Sequence, residues 1–243
     1  MDKNEMMNKV FHQLALDYNC LPEDFLKDEI IFTEAKALEG RRPYPFFTPR
    51  LELITFGSGV VVNASGDIID RAKSIFKNKS AFEIFNMPFV CGVNPYFLPN
   101  LSDRPILRHT EGFEFKFIAK SEISKLYSQK GFEFALQYDV HSLHPEQLAV
   151  IVITKDTIVG VASAVSECKT LWQINVDVLP QFRGNNLATT AVSMLTNEVL
   201  KRGYVPYYST SIDNIFSLRV AAKSGYLPSW AHCYRTRMDL LNV

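Results

Sequence analysis

The chain has 243 residues, 47% of them apolar, with 26 Lys and Arg balanced by 26 Asp and Glu for a formal net charge of zero. That balance argues against a nucleic-acid binder held by phosphate contacts, which would show a basic excess or stripe. The apolar content supports a sizeable core, as one large domain or two small ones.

The N-terminus, Met1-Asp2-Lys3-Asn4-Glu5, precedes no apolar leader segment, and no apolar run reaches the roughly eighteen residues of a membrane span. Cys20, Cys91, Cys168 and Cys233 are scattered without a C-x-x-C pair and read as reduced thiols. The expectation is a soluble, cytoplasmic protein with neither a membrane nor a nucleic-acid partner.

In chain order, Lys3 to Asn19 reads as an amphipathic helix, with Met7, Val10, Phe11, Leu14 and Leu16 as its apolar residues. A turn at Pro22 leads to a strand at Glu29 to Thr33. Leu51 to Phe56 and Val60 to Asn63 flank Gly57-Ser58-Gly59, a hairpin signal. Ser65 is a candidate cap for a helix from Gly66 to Lys77, and a second helix covers Ala81 to Asn86. Met87 to Pro99, rich in proline and aromatic residues, reads as an ordered but irregular crossing segment. It would be an inter-domain connection, an acceptor-pocket wall or a dimer contact. Arg41-Arg42 reads as an exposed loop pair or a site for an acidic ligand.

From Gly112 the pattern changes. Phe113 to Ile118 alternates as a strand, followed by a helix at Glu122 to Ser128. Three strands come next, at Gln147 to Thr154, Ile158 to Ser166 and Leu171 to Val178, with Lys155-Asp156-Thr157 as the first turn. A helix from Leu187 repeats Ala188, Ala191, Val192, Leu195 and Val199 at helical spacing and stops at Lys201-Arg202-Gly203. Then follow a strand at Val205 to Ser209, a helix from Asn214 to Ser224, and strands around Tyr226 and from His232 to Met238.

The stretch Val176-Asp177-Val178-Leu179-Pro180-Gln181-Phe182-Arg183-Gly184-Asn185-Asn186-Leu187-Ala188-Thr189 is a strand end, a turn and a helix start. Unpaired backbone N–H groups at the positive end of a helix dipole form an anion site suited to a pyrophosphate. It is neither G-x-x-x-x-G-K-[ST] nor G-x-G-x-x-G. It resembles motif A of the GNAT superfamily of acyl-CoA-dependent N-acyltransferases, [Q/R]-x-x-G-x-[G/A], through Gln181 and Gly184. Asn186 stands where that family has Gly or Ala. Asn tolerates positive φ better than other side chains, so the turn is expected to survive.

Asn214-Ile215-Phe216-Ser217-Leu218-Arg219-Val220-Ala221-Ala222-Lys223-Ser224-Gly225-Tyr226 is similar to the family's N-x-x-[AS]-x-x-[LV]-[YA]-x-[KR]-x-G-[FY] segment. The runs Trp172 to Pro180, Arg202 to Tyr208, Phe82 to Phe85 and Asn94 to Pro99 resemble a bacterial GNAT subfamily with an added N-terminal region.

The resemblance implies an α/β fold with a mixed, mostly antiparallel sheet and helices on both faces. This domain (112–243) would be preceded by a smaller α/β N-terminal domain (1–111), itself a possible degenerate GNAT-like half. It also implies acetyl-CoA as co-substrate, an unidentified amine acceptor and possible homodimerisation. CoA would be held by the backbones of Val176 and Val178, by Gln181, Phe182, Arg183, Gly184, Asn185, Asn186, Leu187, Ala188 and Thr189, and by Asn214 and Ser217.

Direct acyl transfer to an amine needs a base, an oxyanion donor and an acid or water for the leaving thiolate. On the strand before the loop, Gln173, Asn175 and Asp177 face opposite to Trp172, Ile174, Val176 and Val178. Asp177 is the leading candidate for base or amine-recognising carboxylate; alternatively it holds a loop at the sheet rim. Glu167 is a substitute. The family's usual acid, a Tyr on the downstream helix, falls at Ala221, so Tyr208, Tyr234 or Ser209 would have to replace it unless they serve only packing. A degenerate GNAT that holds acyl-CoA without turnover is the alternative. His141 and His144 lack further ligands at metal spacing, so no metal is expected.

Overall fold

The computed structural model describes residues 1–43, 48–105 and 110–237. The chain divides into two compact units that interleave in sequence. One, the N-terminal unit, comprises Met7–Tyr96, Thr210–Asn214 and Pro228–Val243. The other, the motif unit, comprises Met1–Met6, Phe97–Ser209 and Ile215–Leu227.

The N-terminal unit takes in most of helix α1 (Lys3–Tyr18), strands β1 (Ile30–Glu34), β2 (Leu51–Thr55) and β3 (Val60–Ala64), short helices α2 (Ile69–Phe76) and α3 (Ala81–Phe85), and the first part of β4 (Val90–Pro99). β2 and β3 form the expected antiparallel hairpin, and β1 lies parallel to β3. Leu51, Leu53, Val60 and Val62 face Ala72, Phe76 and Ile84 of the two short helices. On α1, the Tyr18 carbonyl accepts from Thr33 Oγ1 (2.7 Å) and Asn63 Nδ2 (2.8 Å), so the polar residues of β1 and β3 fasten the end of that helix.

The motif unit contains β5 (Glu114–Ala119), α4 (Lys120–Ile123) with a 3₁₀ turn to Ser128, β6 (Glu146–Thr154), β7 (Thr157–Ser166), β8 (Leu171–Val178), α5 (Leu187–Lys201), β9 (Val205–Ser209), α6 (Ile215–Lys223) and the start of β10 (Tyr226–Thr236). β5, β6, β7 and β8 are antiparallel neighbours, and β9 joins β8 in parallel. The result is a mixed, mostly antiparallel sheet. Period-two alternation gives it two apolar faces. Leu148, Val150, Val152, Ala162, Ala164, Trp172 and Ile174 pack with Leu187, Ala191, Val192, Leu195 and Val199 of α5. Ala149, Ile151 and Val161 pack on the other side with Ile123, Leu126, Phe132 and Leu136. Helical segments thus cover both faces.

Four expectations need correction. Arg41-Arg42 is not an exposed pair, because Arg41 is half-buried and Arg42 is buried with its Nε donating to Asp17 Oδ2. Met87 to Pro99 is not irregular throughout, because Val90–Pro99 is a ten-residue strand. Its prolines and Gly92 mask the signal, but burial of Tyr96, Phe97 and Leu98 overrides local propensity. Ser65 does not cap a helix with its side chain. Its hydroxyl accepts the Arg50 N–H (2.8 Å), its carbonyl takes the N–H groups of Ile68 and Ile69 (both 3.0 Å), and α2 begins at Ile69. The strands expected around Tyr226 and from His232 are one strand running through Pro228. The expected end at Met238 lies outside the described residues.

Candidate functional site

The site begins where β8 leaves its neighbour. β8 pairs with β9 at Leu171↔Val205, Trp172↔Pro206 and Gln173↔Tyr207, and the register stops there. On its other side β8 follows β7 from Trp172 to Val178. The Leu179 N–H donates to the Val159 carbonyl (2.9 Å), which fixes the phase of that ladder. Antiparallel ladders bond every second residue, so Asn175 and Asp177 direct their backbone groups to β7. Val176 and Val178 direct theirs to the opposite side, where β9 no longer pairs. The Val178 carbonyl accepts from Arg183 Nε (3.0 Å), which leaves the N–H and C=O of Val176 and the N–H of Val178 facing the opening.

The loop that follows carries two left-handed residues. Pro180–Phe182 forms a single 3₁₀ turn, Gly184 has φ 88°, and Asn186 has φ 57° and ψ 14°. The turn thus survives with Asn in place of the family's small residue, and the Asn186 side chain makes no capping bond to the helix. Asn185 Nδ2 donates to the Phe182 carbonyl (3.1 Å). Phe182 meets Phe113 edge-on, with centroids 6.3 Å apart, and this anchors the turn to the sheet.

Arg183, Gly184, Asn185 and Asn186 are exposed, as is Gln181, while Leu187 is buried. The Thr190 N–H bonds the Asn186 carbonyl (3.0 Å). Among the described residues, the N–H groups of Leu187, Ala188 and Thr189 have no backbone acceptor. No acidic residue lies in the first turn of α5 to neutralise its positive end. Backbone N–H groups at a helix start with no acidic side chain beside them have the geometry that suits an anion.

The candidate catalytic side chains are all engaged. Asp177 Oδ2 accepts from the N–H groups of Phe134 (2.7 Å) and Ala135 (2.9 Å). Ser163, opposite Asn175 in the register, donates to the Ala135 carbonyl. The polar row of β8 therefore faces the segment around residues 132–136. Burial pushes the Asp177 carboxyl above the ordinary aspartate value, against the pull of the two amides and of Arg183, with Glu133 adding to the rise.

Glu167 is buried and accepts from the Tyr207 hydroxyl. Tyr208 is buried, its hydroxyl 2.9 Å from Ser217 Oγ, and burial raises its pKa. Gln173 Nε2 donates to Ser209 Oγ (3.0 Å). Asn214 precedes α6 and belongs, with the 210–214 turn, to the other unit.

The structure thus brings Tyr208 and Ser217 together and sets Asp177 against the 134–135 backbone. The latter is the loop-holding role given as the alternative for Asp177, whereas the identity of its partners, about forty positions away, carried no local signal. Among the described residues no group of three His, Cys, Asp or Glu is placed to hold a metal, and no helix is long and apolar enough to cross a membrane.

The sequence profile described as GNAT acetyltransferase matches residues 108–234, just over half of the chain. The chain belongs to the GNAT acetyltransferase family. No protein of curated function is similar enough to match.

Among solved structures, a GNAT-family protein from Novosphingobium aromaticivorans is 14% identical with a TM-score of 0.46, covering 58% of this chain and 63% of its own. A GCN5-related N-acetyltransferase-like protein from Streptococcus suis is 18% identical with a TM-score of 0.44, covering 73% and 72% respectively. Aminoglycoside N-acetyltransferase AAC(6')-Iy, solved in complex with CoA, is 14% identical with a TM-score of 0.38, covering 51% of this chain and 93% of its own. This GNAT chain therefore spans less than two thirds of the first of these, and its family assignment rests on the profile match.

Proposed function

We propose that this GNAT protein transfers an acetyl group from acetyl-CoA directly to a primary amine. The observation that carries the reading is the opening beside β8, where the end of the β8–β9 register exposes the backbone of Val176 and Val178 next to the start of α5. In this reading those backbone groups bond the pantetheine amides. The pyrophosphate lies on the N–H groups of Leu187, Ala188 and Thr189, with Gln181, Phe182, Arg183, Gly184, Asn185 and Asn186 around it. The amine attacks the thioester carbon, an edge N–H of β8 meets the developing oxyanion, and the thiolate leaves. Asp177, at the end of the same strand, receives or orients the ammonium, and Tyr208 supplies the proton for sulfur. Glu167, tied to Tyr207, acts through the sheet rather than on the substrate.

The test is calorimetric titration with acetyl-CoA, repeated on Asn186→Asp, followed by thiol release with a panel of amines. Micromolar binding weakened roughly tenfold or more by the added charge is expected, because a carboxylate there repels the phosphates. If the wild-type protein binds no acetyl-CoA, the proposal fails. One observation favours a second reading, a CoA-binding sensor without turnover: Asp177 and Tyr208 both already hold protein partners. Tight binding with no thiol release for any amine would select it.

A further inference from the structure

Tyr208 stands one residue beyond Tyr207, the last residue of β9 in register with β8. It therefore sits where the two strands part, at the mouth of the opening in which the thioester would lie. Strand alternation turns Tyr207 toward Glu167 and Tyr208 to the opposite face. On that face Tyr208 lies in one core cluster with Ala221 of α6 and with Tyr226.

Ser217 and Ala221 are four residues apart on α6 and share a helix face. Ala221 is fully buried and contributes only a methyl group, so the helix offers no proton donor at that position. Tyr208 approaches the same face from the strand, and its hydroxyl meets Ser217 Oγ at 2.9 Å. The far side of its ring is set by Tyr226, at a centroid distance of 5.9 Å, and the Tyr226 hydroxyl is itself held 2.7 Å from Thr196 Oγ1. Ring and hydroxyl are thus fixed from two directions, by Tyr226 and by Ser217. Ser217 is only half-buried, so its hydroxyl links the buried phenol to the open side of the helix.

We infer that Ser217 is a positioning residue for the Tyr208 hydroxyl, not primarily a CoA contact, and that the pair delivers the proton to the leaving sulfur. The assignment rests on the acyltransferase reading. The amine nitrogen bonds to the thioester carbon, and the carbon–sulfur bond breaks. Sulfur takes the Tyr208 proton, and the phenolate regains one from solvent through Ser217. The surplus proton on nitrogen leaves to the base, so the products are the amide and the free thiol.

The experiment measures thiol release from acetyl-CoA with polyamines, amino sugars and amino-acid amides, together with calorimetric binding of acetyl-CoA. Ser217→Ala should lower kcat roughly tenfold, the worth of one oriented hydrogen bond, while KM and Kd for acetyl-CoA stay within about twofold. Ser217→Thr should restore most of the rate. In a Tyr208→Phe background, Ser217→Ala should cost nothing further. Weaker acetyl-CoA binding by Ser217→Ala with kcat unchanged would overturn the assignment and return Ser217 to the CoA site. So would additive losses in the double variant. A wild-type protein that binds acetyl-CoA but releases thiol with no amine would instead sink the transferase reading, and this assignment with it.

Discussion

At Asp177 two roles coincide that pH separates. Its carboxylate receives two backbone amides, yet burial raises its pKa above the ordinary 3.8. The charged form is therefore disfavoured in the folded protein relative to the unfolded chain. The sign follows by linkage: below the ordinary aspartate pKa both states are protonated and Asp177 exacts no penalty. As pH rises through the raised folded value the penalty grows to its full size. Asp177→Asn keeps an oxygen for the two amides and removes the buried charge. The variant should equal or exceed the wild type in thermal stability at pH 8, by a fraction of a kcal/mol after solvent screening, and the gap should close in acid. Thermal melts across pH check this. Destabilisation at every pH would mean that the amides require the charge. A concurrent loss of amine turnover would assign Asp177 to catalysis as well as to holding the loop.

At the scale of elements, the loop between β8 and α5 depends on Gly184. Its φ of 88° is open to glycine, and a Cβ there meets no neighbour within 4 Å. Gly184→Ala should therefore cost only the backbone strain, on the order of 1 kcal/mol in urea unfolding, but it should weaken acetyl-CoA binding more than it weakens the fold. Unchanged affinity by calorimetry would remove Gly184 from the proposed phosphate site. Much of this region is legible in the sequence. The alternation of β6, β7 and β8, the α5 repeat and the Lys155-Asp156 turn, with φ 45° and 59°, all follow from local pattern. Other features do not. Periodicity shows which face of a strand is buried but not what covers it, so Asp177 reads as a carboxylate that holds a loop at the sheet rim without a sign that the loop is residues 134 and 135. Arg183 reads as an anion ligand from its motif, and nothing in the pattern shows that its Nε also holds the Val178 carbonyl. For β4, prolines that usually end strands concealed a segment held by burial.

At the scale of the whole molecule, the order of the chain and the order of its contacts differ. The expected boundary after Glu111 would start the GNAT domain at Gly112, whereas the motif unit recruits Phe97 onward and also Met1–Met6. Phe97 is only 6% exposed and belongs to the cluster beneath α5. Deleting a buried phenylalanine typically costs about 3–5 kcal/mol, a large share of the 5–15 kcal/mol that holds a domain together. A fragment of residues 112–243 forfeits this side chain together with buried Leu98, and it should melt broadly and bind a hydrophobic dye. A fragment of residues 90–243, which restores β4 and its contribution to the core, should melt more sharply and at higher temperature. Calorimetric scans of the two fragments decide the matter. Equal cooperativity would show that Phe97 fills the core without being needed to form it, and would favour the boundary at Gly112.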